Sequence, residues 1–193
     1  MSATVLYMSM SLDGFIAGPN ESVENGLGDG GERLHEWVLP PDGQRVGEVN
    51  RRVVDEFMST GAVVAGRGTF EPAGGWEGDH HDGVPIYILS RHEPPAWAAG
   101  WPAVHYVDDL GAAVRDAKDA AGDRNVLVHG AGIAQRALAA GLLDELEIHL
   151  VPVLMGEGRR LFDHLGADQR QLERTRVVEG EGGVTHLHYR VRR

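Results

Sequence analysis

The chain has 193 residues, and its hydrophobic content of 42% and charged content of 24% are ordinary for one globular domain. Its net charge of −11 argues against a general role in binding nucleic acids or membrane surfaces. The absence of cysteine excludes disulfides, thiolate nucleophiles and Cys-ligated zinc, and the single lysine, Lys118, argues against Schiff-base chemistry and a Walker-type phosphate loop. With neither a membrane-length apolar run nor a signal peptide, we expect one cytoplasmic domain over residues 1–193.

Short apolar runs alternate with helical patterns along the chain. The runs predict strands at Thr4–Met10, Ala62–Ala65, Pro85–Ser90, Ala103–Val107, Asn125–Val128, Glu145–Val153, Arg174–Val178 and Val184–Val191. Helices are predicted at Gly47–Ser59, Asp109–Ala121 and Ile133–Ala140. Strands separated by helices indicate an α/β fold with a mostly parallel central sheet flanked by helices.

The last two predicted strands are joined by a tight turn at residues 179–183, which predicts a C-terminal antiparallel hairpin. Polar and apolar residues alternate within Thr185–Tyr189, a pattern typical of a half-exposed edge strand. His186 and His188 point to one face of this strand, and we expect them on the sheet surface rather than in a metal site.

Two glycine-bearing segments directly follow predicted strands. Gly66–Phe70 follows the second strand, and His129–Gly132 follows the fifth and leads into a helical pattern. A strand that ends in small residues and opens a helix leaves backbone N–H groups free, and the partial positive charge of the helix start adds to them. Two such phosphate-binding corners in one small domain favour a ligand with phosphates at both ends of a groove, such as a dinucleotide.

Two long loops, over residues 18–47 and 72–84, follow strand ends on the side where open α/β sheets bind ligands. Their tryptophans, Trp37 and Trp76, either cover a planar substrate or pin the loops to the core. His80 and His81 stand between two aspartates, but adjacent ligands rarely converge on one ion without a third partner. We therefore expect a solvated loop there and no metal site.

Five ordered motifs carry a family resemblance: Ser11–Ala17, Gly66–Glu71, Ile88–Arg91, His129–Gly132 and Pro152–Gly158. Together they resemble the dihydrofolate reductase-like fold, in the branch that contains the reductase domain of the bifunctional riboflavin-biosynthesis deaminase–reductase. The resemblance covers nearly the whole chain. The partner deaminase domain needs a His/Cys zinc site, which a chain without cysteine does not contain, so the chain resembles a stand-alone reductase unit.

The resemblance implies NADPH as the cofactor. The family's pyrophosphate-binding positions are occupied on one side by Gly66, Arg67, Gly68 and Thr69, and on the other by Gly130, Ala131, Gly132 and Ile133. Ser90 and Arg91 fall where the family binds the adenosine 2′-phosphate, which favours NADPH over NADH. The nicotinamide ring would pack where the chain has Ser9, Ile16 and Ala17.

The candidate catalytic residues are Asn50 and Asp13. Dihydrofolate reductases carry a carboxylate on the helix before the second strand, and the apolar spacing of that helix places Asn50 in this register. An amide orients a heterocyclic ring but is not a general acid. Asp13 is the nearest other carboxylate, and its alternative role is to cap the Asp-Gly bend. Phe15 stands where riboflavin-pathway reductases usually have a basic residue, at a position that faces substrate.

The expected function is therefore NADPH-dependent reduction of a pyrimidine- or pteridine-type heterocycle, nominally 5-amino-6-(5-phosphoribosylamino)uracil. A dihydrofolate or pteridine reductase and a non-catalytic NADPH-binding protein are the alternatives. Related reductases pair through their sheets, and the apolar run Val151–Met155 exceeds what one small sheet requires, so we expect a homodimer. Arg159 and Arg160 are either a surface pair or contacts to a substrate phosphate.

Overall fold

The computed structural model describes residues 2–167 and 169–192, except the side chain of Asp42. Within these ranges the strands are β1 (Thr4–Ser11), β2 (Phe15–Ala17), β3 (Ala62–Gly66), β4 (Ile86–Leu89), β5 (Val104–Val107), β6 (Val126–His129), β7 (Glu145–Val151), β8 (Arg159–Arg160), β9 (Leu172–Glu179) and β10 (Thr185–Val191). The α-helices are α1 (Glu48–Met58), α2 (Arg67–Phe70), α3 (Leu110–Ala121) and α4 (Ala131–Ala139).

Eight strands form one sheet in the order β5-β4-β3-β6-β1-β7-β10-β9. The strands from β5 to β7 run parallel, and β10 and β9 are added as an antiparallel hairpin. This confirms the predicted α/β fold with a mostly parallel sheet and a C-terminal hairpin. The short strands β2 and β8 form a separate antiparallel pair that the sequence did not predict.

Both faces of the sheet are covered, which explains why its central strands are apolar along their whole length. Val64, Val126 and Leu6 lie on the face that packs against α3 and α4. Their sequence neighbours lie on the opposite face, against Phe57 of α1 and the loop that carries Trp76. Among the described residues, no helix combines the length and apolar character that a membrane crossing requires.

The expectation that the last strand lies at the edge of the sheet is wrong. β10 lies between β7 and β9, and β9 forms the edge. Because α1 and Trp37 cover this part of the sheet, His186 is fully buried and only β9 is largely exposed. The polar face of β10 therefore changes along the strand, since His186 is fully buried, whereas the side chain of His188 is 19% exposed and that of Arg190 is 58% exposed.

Candidate functional site

A groove runs along the carboxyl ends of the parallel strands, where ligands of open α/β sheets bind. It consists of three adjoining cavities. The arginine pocket, of about 430 Å³, is lined by Arg67, Leu89, Ser90, Arg91, His92, Asp108 and Arg136. The glycine pocket, of about 230 Å³, shares Arg67, Leu89 and Arg136 with it and adds Gly66, Gly68, Thr69, Gly132, Ile133 and Arg159. The outer cavity, of about 330 Å³, shares Thr69 and Arg159 with the glycine pocket.

The arginine pocket concentrates positive charge at one end of the groove. Arg67 is held by a two-point ion pair with Glu71, at 2.7 and 3.2 Å. Neither Arg91 nor Arg136 forms an ion pair with any described residue. Asp108 supplies the opposing charge, so the pocket keeps a net positive charge in a chain whose overall charge is −11. Such a pocket suits a phosphate group.

The glycine pocket brings the two glycine-bearing segments face to face. Gly130 has a φ of +99° and immediately precedes α4. A Cβ at this position would lie 2.0 Å from the Thr69 Oγ1 atom, so only glycine fits here. The close approach of the two segments leaves the first N–H groups of α4, at Gly132 and Ile133, on the wall of the pocket, where they suit a phosphate.

The outer cavity has apolar walls with a few polar groups. Ile16, Ala17 and Met8 form one side, and Trp76 and His80 lie on the side of the second long loop. Residues 74–78 of that loop turn through left-handed backbone conformations, including φ +50° at Trp76 itself. This turn places the Trp76 ring edge-on to His80, at 4.6 Å, and to Phe70, at 5.5 Å. Trp76 therefore both pins its loop to the core and forms a wall of the cavity.

A smaller inner cavity of about 90 Å³ opens from the outer one and shares Met8, His35, Phe57 and His129 with it. Its remaining lining residues are Tyr7, Ser9, Trp37, Val38, Val54 and His149. The Trp37 indole N–H donates to Ser9 Oγ at 2.8 Å, and its ring lies 4.4 Å from that of His149. Trp37, like Trp76, thus anchors its loop and lines the site.

The histidines around these cavities are held uncharged at neutral pH. Burial lowers the pKa of His129 to about 4 and that of His80 to about 3. Burial also lowers the pKa of His35 and, together with the neighbouring His186, that of His149. Because a buried imidazolium would lack compensating charge, these rings act as neutral hydrogen-bonding groups.

The expectation of a solvated loop at residues 79–82 is wrong for its histidines. His81 is buried, with its Nε2 atom 3.1 Å from both the hydroxyl and the carbonyl oxygen of Thr60. His80 lies 2.7 Å from the His81 ring nitrogen and forms part of the outer cavity. No cluster suited to a metal ion occurs in the part of the chain that the structure describes.

Asn50 is buried, with only 2% of its surface exposed. Its amide nitrogen donates to the carbonyl oxygens of Trp37 and Glu181, each at 3.1 Å, and its Oδ1 atom lies 3.1 Å from His186 Nε2. It lines a separate cavity of about 280 Å³ at the amino end of α1, not the groove. Any effect of Asn50 on a ligand in the groove must pass through other residues.

Asp13 caps a turn. Its carboxylate accepts hydrogen bonds from the Ser11 hydroxyl, at 2.6 Å, and from the backbone N–H groups of Met155 and Gly156. The Ser11 bond, more than any other contact, lowers the pKa of Asp13 to about 2. These contacts favour the structural alternative, and Asp13 lines none of the cavities described above.

Most of the predicted cofactor-binding residues meet in the groove. Lining positions are occupied by Ile16, Ala17, Gly66, Arg67, Gly68, Thr69, Ser90, Arg91, Gly130, Gly132 and Ile133, with Ser9 in the inner cavity. Ala131 is buried beneath them. Sequence reasoning missed Arg136, although its position three residues after Ile133 places both on one face of α4. It also missed the histidines of the inner cavity.

The two arginines of β8 differ in their surroundings. Arg159 Nε lies 2.6 Å from Glu21 Oε2, and the side chain lines both the glycine pocket and the outer cavity. Arg160 donates to the Asp13 carbonyl oxygen and stacks over the Phe15 ring, 4.4 Å from its centre. A basic residue thus reaches the vicinity of Phe15 from β8, and Arg159 belongs to the groove.

Comparisons with known proteins place the chain in one family and relate it to several solved structures. A model of the RibD C-terminal domain matches residues 3–185. A structure from Shewanella sp. PV-4 assigned to riboflavin biosynthesis is 24% identical, with a TM-score of 0.73 and 99% of each chain covered. A pyrimidine reductase-like protein from Corynebacterium diphtheriae is 15% identical, with a TM-score of 0.66, all of this chain covered and 92% of the other.

RibD of Acinetobacter baumannii is 17% identical, with a TM-score of 0.64, and this chain spans 59% of it. No curated protein sequence matched. At these identities the structural likeness shows the shared fold.

Proposed function

The chain belongs to the family of the RibD C-terminal domain, and from this premise we propose that it is an NADPH-dependent reductase of a pyrimidine- or pteridine-type heterocycle. The observation that carries the proposal is the continuous groove. The guanidinium groups of Arg91 and Arg136 have no ion-pair partner among the described residues at one end, and aromatic and neutral imidazole rings line the cavity at the other, where Glu21 and Arg159 pair with each other. The similarity to the pyrimidine reductase-like protein from Corynebacterium diphtheriae is in keeping with it.

The residues of the groove fit the parts of NADPH in order. Arg91 and Arg136, with Arg67, would hold the 2′-phosphate, because planar guanidinium groups bind phosphate through paired hydrogen bonds. The N–H groups at the start of α4 would bind the pyrophosphate. Ile16 and Ala17 would pack against the nicotinamide ring. When bound, the dihydronicotinamide supplies the hydride.

The protein contributes position rather than a strong acid. Glu21 is the one acidic side chain on the outer cavity wall among the described residues, and its carboxylate is tied to Arg159. The neighbouring imidazoles of His129 and His80 are neutral near pH 7, so they would orient a heterocycle by hydrogen bonds. Holding the ring against the nicotinamide site and excluding water are the rate-enhancing contributions that this arrangement supports.

A non-catalytic NADPH-binding protein is the second candidate. It is favoured by Asn50, which stands where relatives present a carboxylate and whose amide is fully engaged in structural hydrogen bonds. Reduction of a folate-like dihydropteridine ring is a third candidate, and it lacks support because this helix register offers no acid to protonate that ring.

The test is loss of the near-ultraviolet absorbance of NADPH with a panel of flavin precursors, dihydrofolate and pterins. Turnover of a pyrimidine- or pteridine-type compound supports the proposal, and its loss in Arg136→Ala but not in Arg124→Ala, an exposed arginine outside the groove, assigns it to this site. NADPH binding without turnover of any panel member would favour the second candidate. Failure to bind NADPH would refute both.

A further inference from the structure

The inner cavity combines hydrogen-bonding groups with apolar walls. Three imidazoles, those of His35, His129 and His149, lie on its wall among apolar side chains. The Nδ1 atoms of His35 and His129 are buried and have no hydrogen-bond partner. A wall that combines imidazole groups with apolar and aromatic side chains suits a planar guest with polar atoms on its edge.

The hydrogen-bonded chain behind the cavity fixes the proton positions on two of its rings. The Asn50 amide nitrogen donates to two carbonyl oxygens, which identifies Oδ1 as the acceptor facing His186. His186 Nε2 must therefore carry a proton and donate it to Asn50. Because burial lowers the pKa of His186 to about 4, the ring is neutral and its Nδ1 atom has a free lone pair.

The proton position on His149 follows from that on His186. His149 Nδ1 lies 2.9 Å from His186 Nδ1, and since the latter is an acceptor, His149 Nδ1 is the donor. Burial keeps His149 uncharged as well, so its Nε2 atom bears a lone pair. Nε2 forms no hydrogen bond with any described residue, and it is the His149 nitrogen that remains for a guest in the inner cavity.

We propose that the inner cavity binds the ring edge of an uncharged, planar heterocycle, with a ring N–H donated to His149 Nε2. Asn50 and His186 are positioning residues that fix the tautomer of His149. The inference rests on the proposed function, because it places this ring beside the nicotinamide site of the adjoining outer cavity. Cyclic imides and lactams, which carry N–H and C=O on one edge, are the matching chemical class.

The binding test uses lumazine, whose ring carries N–H groups, and 1,3-dimethyllumazine, in which both are replaced. Calorimetric titration into the protein saturated with NADP⁺ avoids turnover. We expect lumazine to bind at least about tenfold more tightly, ~1.4 kcal/mol, and we expect His149→Phe to remove that preference. A preference that persists in His149→Phe would arise from the bulk of the methyl groups and would overturn the inference, as would no lumazine binding.

A second measurement needs no variant. Long-range ¹H–¹⁵N NMR of the wild-type protein reports the tautomer of each histidine, and we expect His149 protonated at Nδ1 and His186 at Nε2. The opposite tautomer of His149 would overturn the inference even if His149→Phe does not fold. Failure of the wild-type protein to bind NADP⁺ would instead contradict the proposed function. Failure of the inference and failure of the proposed function are therefore distinguishable.

Discussion

Replacing Asn50 with alanine removes the three hydrogen bonds of a buried side-chain amide at once. The amide joins the first long loop, through the Trp37 carbonyl, to the final hairpin, through the Glu181 carbonyl and His186. At about 0.5–1.5 kcal/mol for each bond, and with the buried His186 N–H left unpaired, we expect a loss of about 2–4 kcal/mol in the free energy of unfolding. This is a large share of the roughly 5–15 kcal/mol that stabilises a domain of this kind.

Urea unfolding monitored by tryptophan fluorescence measures this loss, with Arg124→Ala as the control. The variant that remains folded should bind NADPH as the wild type does, because Asn50 lies outside the groove. Its kcat/KM should fall by about ten- to a hundredfold, ~1.4–2.7 kcal/mol, because the tautomer of His149 is no longer fixed. An unchanged free energy of unfolding would refute this account of the hydrogen-bonded chain.

Three other predictions concern the groove, the core and assembly. Gly130→Ala should weaken NADPH binding in a titration, because its Cβ would clash with Thr69; unchanged affinity would contradict the proposed pyrophosphate site. Burial raises the pKa of Glu147 from 4.5 to about 7, so this carboxyl opposes folding increasingly as pH rises from 4.5 to about 7, and the effect levels off above that. Glu147→Gln should therefore gain about 1–3 kcal/mol relative to wild type between pH 5 and pH 8 in urea unfolding, and parallel profiles would contradict it. Light scattering should give a homodimer of the 20.9 kDa chain, and a monomer at micromolar concentration would contradict that proposal.

The sequence predicted the main sheet well because its central strands are continuous apolar runs. β3 and β6 are buried on both faces, so their local composition identifies them. β2 and β8 are too short to carry a pattern, and their pairing joins residues far apart in the sequence. The position of β10 within the sheet also depends on tertiary packing, because the same alternation of polar and apolar residues fits an edge strand and a strand covered by α1.

The glycine-bearing segments could be predicted because their backbone conformation requires glycine, as the positive φ of Gly130 shows, and glycine is visible in the sequence. The buried histidines were missed because polar alternation in β7 and β10 resembles a surface pattern. His149 and His186 face each other across these strands, and only the covering by Trp37 and α1 turns them inward. The sequence carries no signal that separates this face from an exposed one, because Glu145, Glu147 and His149 alternate with apolar residues.

The assembly prediction rested on the apolar run 151–155, and part of that run has a partner within the chain. Val151 is buried in a small cluster with Leu34, and Val153 and Met155 pack against it, whereas Leu154 remains 70% exposed. The homodimer therefore remains a proposal that depends on the behaviour of related reductases.

The central claim is that the groove binds NADPH through its arginine pocket, and paired calorimetric titrations with NADPH and NADH test it most directly. We expect NADPH to bind at least about tenfold more tightly, ~1.4 kcal/mol, and Arg91→Ala to weaken NADPH while leaving NADH nearly unchanged. Arg124→Ala should alter neither. Equal affinities for the two nucleotides, or an equal loss of both in Arg91→Ala, would contradict the assignment of the arginine pocket to the 2′-phosphate.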